Sequence, residues 1–237
     1  MTTNLPQDSK VKTGAIRWLA RETLGNLVLI AILFGIVGRW DWWMGWVLSG
    51  MYLLWSASIA ILILPVNPAM LAERARPYKD IKKWDMVVLG LMGLLMVVEY
   101  VIASLDVRSG WSPQLPLTLQ IPGLLVAVFG HNFLFVWAMV SNAFFVATVR
   151  IQTDRQHAVA SNGPYRYVRH PGYLGAMLLH IGTPFMLNSL WALIPAGLTI
   201  LVLIVRTILE DKTLQSELPG YMEYTQRVRY RLLPGIW

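Results

Sequence analysis

The sequence predicts an all-α membrane protein, a polytopic bundle of about six transmembrane helices forming one domain over residues 1–237. Of its 237 residues, 56% are hydrophobic and only 14% are charged, whereas a soluble domain carries about 25% charged residues. The apolar residues also fall in uncharged runs as long as a membrane-spanning helix requires. This composition excludes a disordered chain, and the absence of cysteine excludes thiol catalysis and cysteine-ligated metal sites.

The uncharged runs predict where the chain crosses the membrane. Four of them are single spans, over residues 24–38, 42–64, 86–105 and about 119–149. The last run, residues 171–205, has 35 residues. It is too long for one span but sufficient for two if the chain turns tightly near Asn188. Before the first span, apolar residues at helical spacing between positions 11 and 19 predict an interfacial helix within a tail of residues 1–23.

Basic residues predict the orientation. With six spans, the N-terminal tail, the 65–85 loop, the 150–170 loop and the C-terminal segment lie on one side and hold 18 of the 20 Lys and Arg residues. The positive-inside rule then places both termini in the cytoplasm, in the inner membrane, with no cleavable signal peptide. The net charge of +7 is therefore attributed to contact with anionic lipid, and no nucleic-acid partner is expected.

Two polar stretches, residues 152–173 and 206–237, predict a shared pocket. His170 and Arg206 each lie 18 residues from Asn188, which is about 27 Å along an α-helix. In an antiparallel pair turning at Asn188, these two helix ends meet at the cytoplasmic surface. Free amides at the helix start would favour an anion, and Glu210 shares a face with Arg206. We therefore expect a pocket for a zwitterionic, partly cationic ligand, formed by the C-terminal helices, the 150–170 loop and the C-terminal tail, with residues 221–228 folded over it.

Simpler interpretations of these polar residues stay open. Arg166 and Arg169 are also typical of a positive-inside loop, and Arg206 with Glu210 is also typical of an exposed helical ion pair. Three further polar residues lie within spans. For His131 and His180 we expect hydrogen bonds to neighbouring helices. For Glu99 three alternatives stay open: its carboxylate extends to the membrane surface, it pairs with Arg108, or it has a functional role. No metal-ligand spacing is present.

Over residues 148–237, the two stretches resemble the isoprenylcysteine carboxyl methyltransferase family and, more loosely, the phospholipid N-methyltransferases. Residues 1–147 match only as spans, apart from the NPAMLAER turn at residues 67–74, after the second span. The motif, in the form that this sequence has it, consists of Gln152, His157, Val159, Gly163, Tyr165, Arg169, His170, Pro171, Tyr173 and Gly175, followed by Arg206, Glu210, Asp211 and a closing RYRLLPGIW. Asp211 stands where the family has a second glutamate, and Ala158 and Ala160 replace larger residues.

The resemblance implies a membrane methyltransferase that uses S-adenosylmethionine as its cofactor and a lipophilic small molecule or lipid as methyl acceptor. Arg206 matches the position that holds the acceptor, and Glu210 is the second catalytic candidate. The implied cofactor contacts are Gln152, His157, Ala158, Val159, Ala160, Tyr165, His170, Pro171, Gly172, Tyr173 and Glu210.

Other functions remain as alternatives. The acceptor is a carboxylate in the family that is matched best, but an amine or a thiol is also compatible with the sequence. An NADPH-dependent enzyme resembling sterol reductases is a further alternative, as is a non-enzymatic transporter. A transporter is disfavoured because the polar groups gather at one surface and no internal repeat is visible. The acceptor's identity and the oligomeric state are not determined by the sequence.

Overall fold

A computed structural model describes residues 5–76 and 81–237. The first four residues of the expected cytoplasmic tail, and residues 77–80 of the expected 65–85 loop, lie outside the described residues. Within the described ranges the regular structure is helical, which confirms the all-α prediction. The helices are α1 Leu5–Val37, α2 Trp43–Ile63, α3 Pro68–Arg74, α4 Lys83–Ser109, α5 Leu117–Val140, α6 Pro171–Met186, α7 Leu193–Glu217 and α8 Tyr221–Arg227.

Five of these helices, namely α1, α2, α4, α5 and α7, are long and apolar enough to cross a membrane. Helix α6 has only 16 residues, about 24 Å, and so falls short of the roughly 30 Å hydrocarbon core. It nevertheless pairs with α7 as the first arm of the expected hairpin. A bundle of about six helices is compatible with this arrangement.

Helix α1 differs from the expected separate interfacial segment, because it is continuous from Leu5 to Val37. Its early turns pack on the short helix α3, where Ala15 and Trp18 are buried. A methyl group on Gly14 would lie 2.5 Å from the Cβ of Ala72, so glycine is what permits this close approach. Ala15 and Trp18 of this segment therefore pack against protein.

Helix α5 ends at Val140 rather than continuing to about Val149 as the uncharged run suggests. It contains a π-helical stretch over Phe129–Phe135. Beyond it, the Asn142 side chain accepts a hydrogen bond from the Phe144 amide at 2.9 Å and so starts a non-helical segment. Hydropathy does not distinguish this segment from a helix, because both are uncharged.

The turn near Asn188 is confirmed. Asn188 adopts a left-handed conformation with φ of +61°, which asparagine tolerates better than most residues. Its Oδ1 accepts a hydrogen bond from the Leu115 amide at 2.5 Å. The next residue, Ser189, donates to Asp106 at 2.6 Å. These contacts hold the hairpin turn against the loop that follows α4.

Helices α5 and α6 approach each other through glycines, as membrane helices often do. A methyl group on Gly182 would collide with the carbonyl oxygen of Gly123 and lie 2.7 Å from the amide nitrogen of Ala127. A methyl group on Gly175 would lie 2.6 Å from the carbonyl oxygen of Gly130. The backbone-to-backbone contact fixes the position of α6, and with it the start of the predicted site.

The buried acid Glu99 pairs with His180, its oxygen lying 2.6 Å from Nδ1. The expected hydrogen bond from His180 to a neighbouring helix is thereby confirmed. The alternative pair with Arg108 is wrong, since Arg108 donates to the carbonyl oxygen of Ile36 at 3.0 Å. His131 stacks on Trp55 with ring centroids 5.3 Å apart, and its Nε2 has no hydrogen-bond partner among the described residues.

We predict that Gly182→Ala destabilises the protein in detergent, because overpacking of this kind costs about 1–3 kcal/mol. The matched control is Gly93→Ala on α4, where an added methyl group meets nothing within 4 Å and alanine favours the helix. Thermal unfolding of the two purified variants is the measurement. A melting temperature for Gly182→Ala equal to that of the control would contradict the packing described here.

Candidate active site

A cavity of about 260 Å³ lies where α6 starts, beside α7 and below the C-terminal tail. Its wall is built from helices α3 to α8 and from the loop segments within residues 142–150 and 157–170. Its lining side chains include Arg74, Leu89, Met92, Phe144, Phe145, His157, Val159, Tyr165, Tyr173, Arg206, Glu210, Leu214, Tyr221 and Tyr224. The cavity thus brings the two polar stretches of the sequence together.

The expected meeting of the two helix ends is confirmed. The Tyr173 hydroxyl near the start of α6 donates a hydrogen bond to Glu210 of α7. One residue further along α7, Asp211 accepts hydrogen bonds from Arg169 at 2.8 and 3.0 Å. The His170 Nε2 lies 3.3 Å from the same carboxylate.

Arg206 is held by Asp85, an acid at the start of α4. Its Nε donates to one oxygen of Asp85 at 2.9 Å, and its Nη2 donates to the other at 3.3 Å and to the carbonyl oxygen of Ala147 at 2.6 Å. Its guanidinium also lies over the Tyr173 ring, 5.3 Å from the centroid. The open alternative, an exposed Arg206–Glu210 pair, is wrong because Arg206 is buried and pairs with Asp85.

Several tyrosines line the cavity together with Glu210. Burial raises the pKa of Tyr165, Tyr221 and Tyr224 above the ordinary value, so all three stay protonated and can donate hydrogen bonds at neutral pH. Tyr224 donates to the carbonyl oxygen of Tyr165 at 2.7 Å, and Tyr221 donates to Asp211 at 3.0 Å. As expected, the tail folds back over the pocket with α8.

The tail is also held at the start of α6. The amides of Arg169 and His170 donate to the carbonyl oxygens of Tyr230 and Arg231, each at 2.9 Å. Two of the backbone donors near this helix start are therefore already occupied by protein. Because Arg169 and His170 precede the first turn of α6, the expected anion site at the amides of that turn stays a prediction.

Ten of the twelve sequence-predicted site residues line the cavity. They are His157, Ala158, Val159, Ala160, Tyr165, His170, Gly172, Tyr173, Arg206 and Glu210. The other two, Gln152 and Pro171, do not line it. Gln152 is buried behind the wall, where it donates to the carbonyl oxygen of Phe144 at 2.8 Å. It supports the cavity wall, and its predicted contact with a cofactor has no geometric support.

His157 is held in its neutral form. Burial, together with the nearby charges of Arg155 and Arg150, lowers the pKa of His157 to about 4. Its Nδ1 accepts a hydrogen bond from the Gln152 amide at 3.3 Å, and its ring packs on Phe144 with centroids 4.6 Å apart. The neutral ring is required, because a protonated Nδ1 cannot accept a hydrogen bond.

Residues 123–216 match the model of the isoprenylcysteine carboxyl methyltransferase (ICMT) family. Over these residues the chain is similar to the ICMT family. It includes most of α5, the whole of α6, and both Arg206 and Glu210. The predicted resemblance is confirmed over these residues, whereas α1 to α4 and α8 lie outside the match.

Two proteins named as methyltransferases are similar to this chain. A rice (Oryza sativa subsp. indica) protein named probable protein-S-isoprenylcysteine O-methyltransferase is 27% identical over 108 residues, which are 45% of this chain and 56% of the rice protein. The human (Homo sapiens) protein-S-isoprenylcysteine O-methyltransferase is 28% identical over 117 residues, 46% of this chain and 39% of the human protein. The chain thus spans about half the length of these relatives, or less.

Sequence reasoning missed three site residues. Asp85 was assigned to the charged loop beside Lys82 and Lys83, and its ion pair with Arg206 was not predicted. An acidic residue at the edge of a span is itself a signal, because it usually requires a basic partner. Arg74 was counted as a loop cation and as the last residue of the NPAMLAER turn, but its place in the cavity wall was not predicted. Asp211 was noted only as a replacement, but it binds the tail.

We predict that Asp211→Asn loosens the tail, because the neutral amide loses its charge-assisted bonds to Arg169 and Arg231. Hydrogen exchange of residues 221–237 should be at least about tenfold faster, which corresponds to about 1.4 kcal/mol of local stability. Glu217→Gln, which removes an exposed pair with Lys82, is the control. Unchanged exchange in Asp211→Asn would show that the tail is held by other contacts.

We also predict that neutral His157 makes stability depend on pH. An unfolded histidine has a pKa of about 6.5, so between about pH 6.5 and pH 4 the unfolded chain binds a proton that the folded chain does not. The free energy of unfolding therefore falls as the pH falls through this window. His157→Gln should lose less thermal stability than the unaltered protein between about pH 7.5 and pH 5. Equal losses would mean that His157 titrates normally.

Proposed function

We propose that this protein is an integral membrane methyltransferase that transfers a methyl group from S-adenosylmethionine to a lipophilic carboxylate, as in carboxyl O-methylation of an isoprenylcysteine. The observation that carries the proposal is the order of residues along α7. Leu203, Arg206 and Glu210 all line the cavity, and they span about 10 Å of helix. An apolar end, a cationic centre and an acidic end follow one another in a single cavity.

The apolar end suits the chain of a lipophilic acceptor. Leu89 and Met92 of α4 line it together with Ala176 of α6 and Leu203 of α7. Leu89 and Met92 lie about 6 and 10 Å further along α4 than Asp85, which holds Arg206. An acceptor tail among these helices would place its polar head beside Arg206, in agreement with the role that the family resemblance implies for this residue.

The acidic end suits the cationic groups of S-adenosylmethionine. Glu210 is available for an ammonium group or ribose hydroxyls, and the rings of Tyr165, Tyr173, Tyr221 and Tyr224 can face a positive charge. Residues 157–160 complete this end of the wall. When bound, the cofactor would supply a methyl group on a positively charged sulfur, and its transfer to a carboxylate requires no general acid or base. The task of the protein is then to position both partners and exclude water.

The proposal extends to the membrane. The lipid bilayer is both the solvent of the bundle and the source of the acceptor. Because S-adenosylmethionine is made in the cytoplasm, we place the acidic end of the cavity at the cytoplasmic face of the inner membrane, with both termini on that side. The distribution of 18 of 20 basic residues supports this orientation.

We predict that the purified protein in detergent binds S-adenosylmethionine in the micromolar range and converts N-acetyl-S-farnesylcysteine to a base-labile methyl ester. Glu210→Gln should raise the dissociation constant for S-adenosylmethionine at least about tenfold, because it removes a charge partner worth at least about 1.4 kcal/mol. Calorimetry measures binding, and transfer of a radiolabelled methyl group measures turnover.

The matched control is Glu217→Gln, which changes an exposed acid on the same helix and should leave both measurements unchanged. No heat with S-adenosylmethionine, together with a thermal shift produced by NADPH, would replace the methyltransferase with a reductase. Binding that Glu210→Gln leaves intact would remove Glu210 from the site.

A further inference from the structure

The cavity contains a second arginine, Arg74 at the end of α3, which has no ion-pair partner among the described residues. Arg74 lines the cavity, and its Nε is buried without a hydrogen-bond partner among the described residues. No carboxylate within residues 9–76 and 81–237 lies within ion-pair distance of its guanidinium. The neighbouring acid Glu73 is turned away, toward Arg76 at 2.8 Å and toward Arg150 at 2.5 Å.

Arg74 remains a cation in spite of this environment. Burial lowers the pKa of Arg74 to about 10, while the charge of Glu22 raises it and those of Arg21 and Arg206 lower it. Glu22 itself is paired with Arg21 at 3.3 Å. Arg74 is half-buried, and a partly desolvated charge without a counter-ion is unfavourable, so an anionic ligand is the natural complement to this side of the cavity.

Arg206 differs from Arg74 in this respect. The charge of Arg206 is balanced by Asp85, and the carbonyl oxygen of Ala147 occupies a further donor. An anion that approaches the two arginines therefore meets a nearly neutral Arg206–Asp85 pair and a full positive charge on Arg74. Arg206 retains Nη1 for a hydrogen bond, since this nitrogen donates to none of the described residues.

Arg74 lies against Phe145, which belongs to a different packing cluster from Val159 of the predicted cofactor segment. Its guanidinium is 5.8 Å from the ring centroid of Phe145, which packs with α3, α5 and the early turns of α1. Val159, from the predicted cofactor segment, packs instead with the cluster of Leu218, Tyr221 and Tyr224. Phe145 is close to the start of α6, since a methyl group on Gly172 would lie 2.8 Å from its ring.

We propose that Arg74 binds the carboxylate of the methyl acceptor and supplies the charge that selects an acid over a neutral or amine analogue, with Arg206 as an orienting hydrogen-bond donor. This inference rests on the proposed function. In the reaction one carboxylate oxygen forms a bond to the methyl carbon, the carbon–sulfur bond breaks with its electron pair passing to sulfur, and no proton moves. The ester is neutral, so Arg74 loses its partner on transfer and product release is favoured.

The test compares Arg74→Gln with Arg74→Lys and with the control Arg76→Gln, an exposed arginine two residues away. With N-acetyl-S-farnesylcysteine, Arg74→Gln should raise the KM for the acceptor at least about tenfold with little change in kcat, because the carboxylate loses charge toward the transition state. The affinity for S-adenosylmethionine should stay within about twofold, and Arg74→Lys should restore part of the KM. Arg76→Gln should behave like the unaltered protein.

An equilibrium measurement separates binding from turnover. Without cofactor, the unaltered protein should bind the farnesylated acid at least about tenfold more tightly than its carboxamide, and Arg74→Gln should lose this preference. Thermal unfolding verifies that the variants are folded. An unchanged KM and an unchanged preference in a folded, active Arg74→Gln would overturn the inference while leaving the proposed function intact.

Two other outcomes would also overturn it. Weaker binding of S-adenosylmethionine to Arg74→Gln, with the KM for the acceptor unchanged, would assign Arg74 to the carboxylate of the cofactor.

Asp80 lies outside the described residues, so Asp80→Asn is tested in parallel and should leave the KM unchanged. A KM raised as much as by Arg74→Gln would show that Arg74 acts through Asp80. If the unaltered protein methylates no farnesylated acid, it is the proposed function that fails.

Discussion

The buried carboxylate of Asp211 connects the segments of the chain that form the candidate active site. Its two oxygens accept hydrogen bonds from Arg169, Gln215, Tyr221 and Arg231 at 2.7 to 3.0 Å. These partners come from the loop before α6, from α7, from α8 and from the tail. Because a fully buried charge is tolerated only when it is paired and hydrogen-bonded, all four segments are constrained to meet at α7.

A second ion pair ties the family segment to the rest of the bundle. Asp85 of α4 accepts from Arg206 and also from the Val149 amide at 2.6 Å. It therefore positions both the arginine and the non-helical segment that forms one wall of the cavity. This explains how a site whose recognisable residues lie at 123–216 depends on helices for which the sequence showed only generic apolar runs. Helix α4 also lines the cavity directly, through Leu89 and Met92.

Much of the architecture could be predicted because it follows from the apolar environment of the lipid bilayer. Apolar runs must be helical in a bilayer, so the spans near residues 42–64 and 86–105 were predictable within a few residues. The hairpin at Asn188 followed from length alone. Hydropathy failed where two structures are equally apolar, as at residues 141–149. It also did not predict that Ala15 and Trp18, in the early turns of α1, pack on α3.

The sequence by itself determined the fold class, the pairing of α6 with α7 and ten of the cavity-lining residues, since these depend on composition, on helical rise and on local motifs. Only the tertiary structure decided which charges are compensated. Pairing depends on distances between residues far apart in the chain, such as the 121 positions between Asp85 and Arg206. That distinction separates Arg206, which Asp85 neutralises, from Arg74, which has no ion-pair partner in the part of the chain that the structure describes.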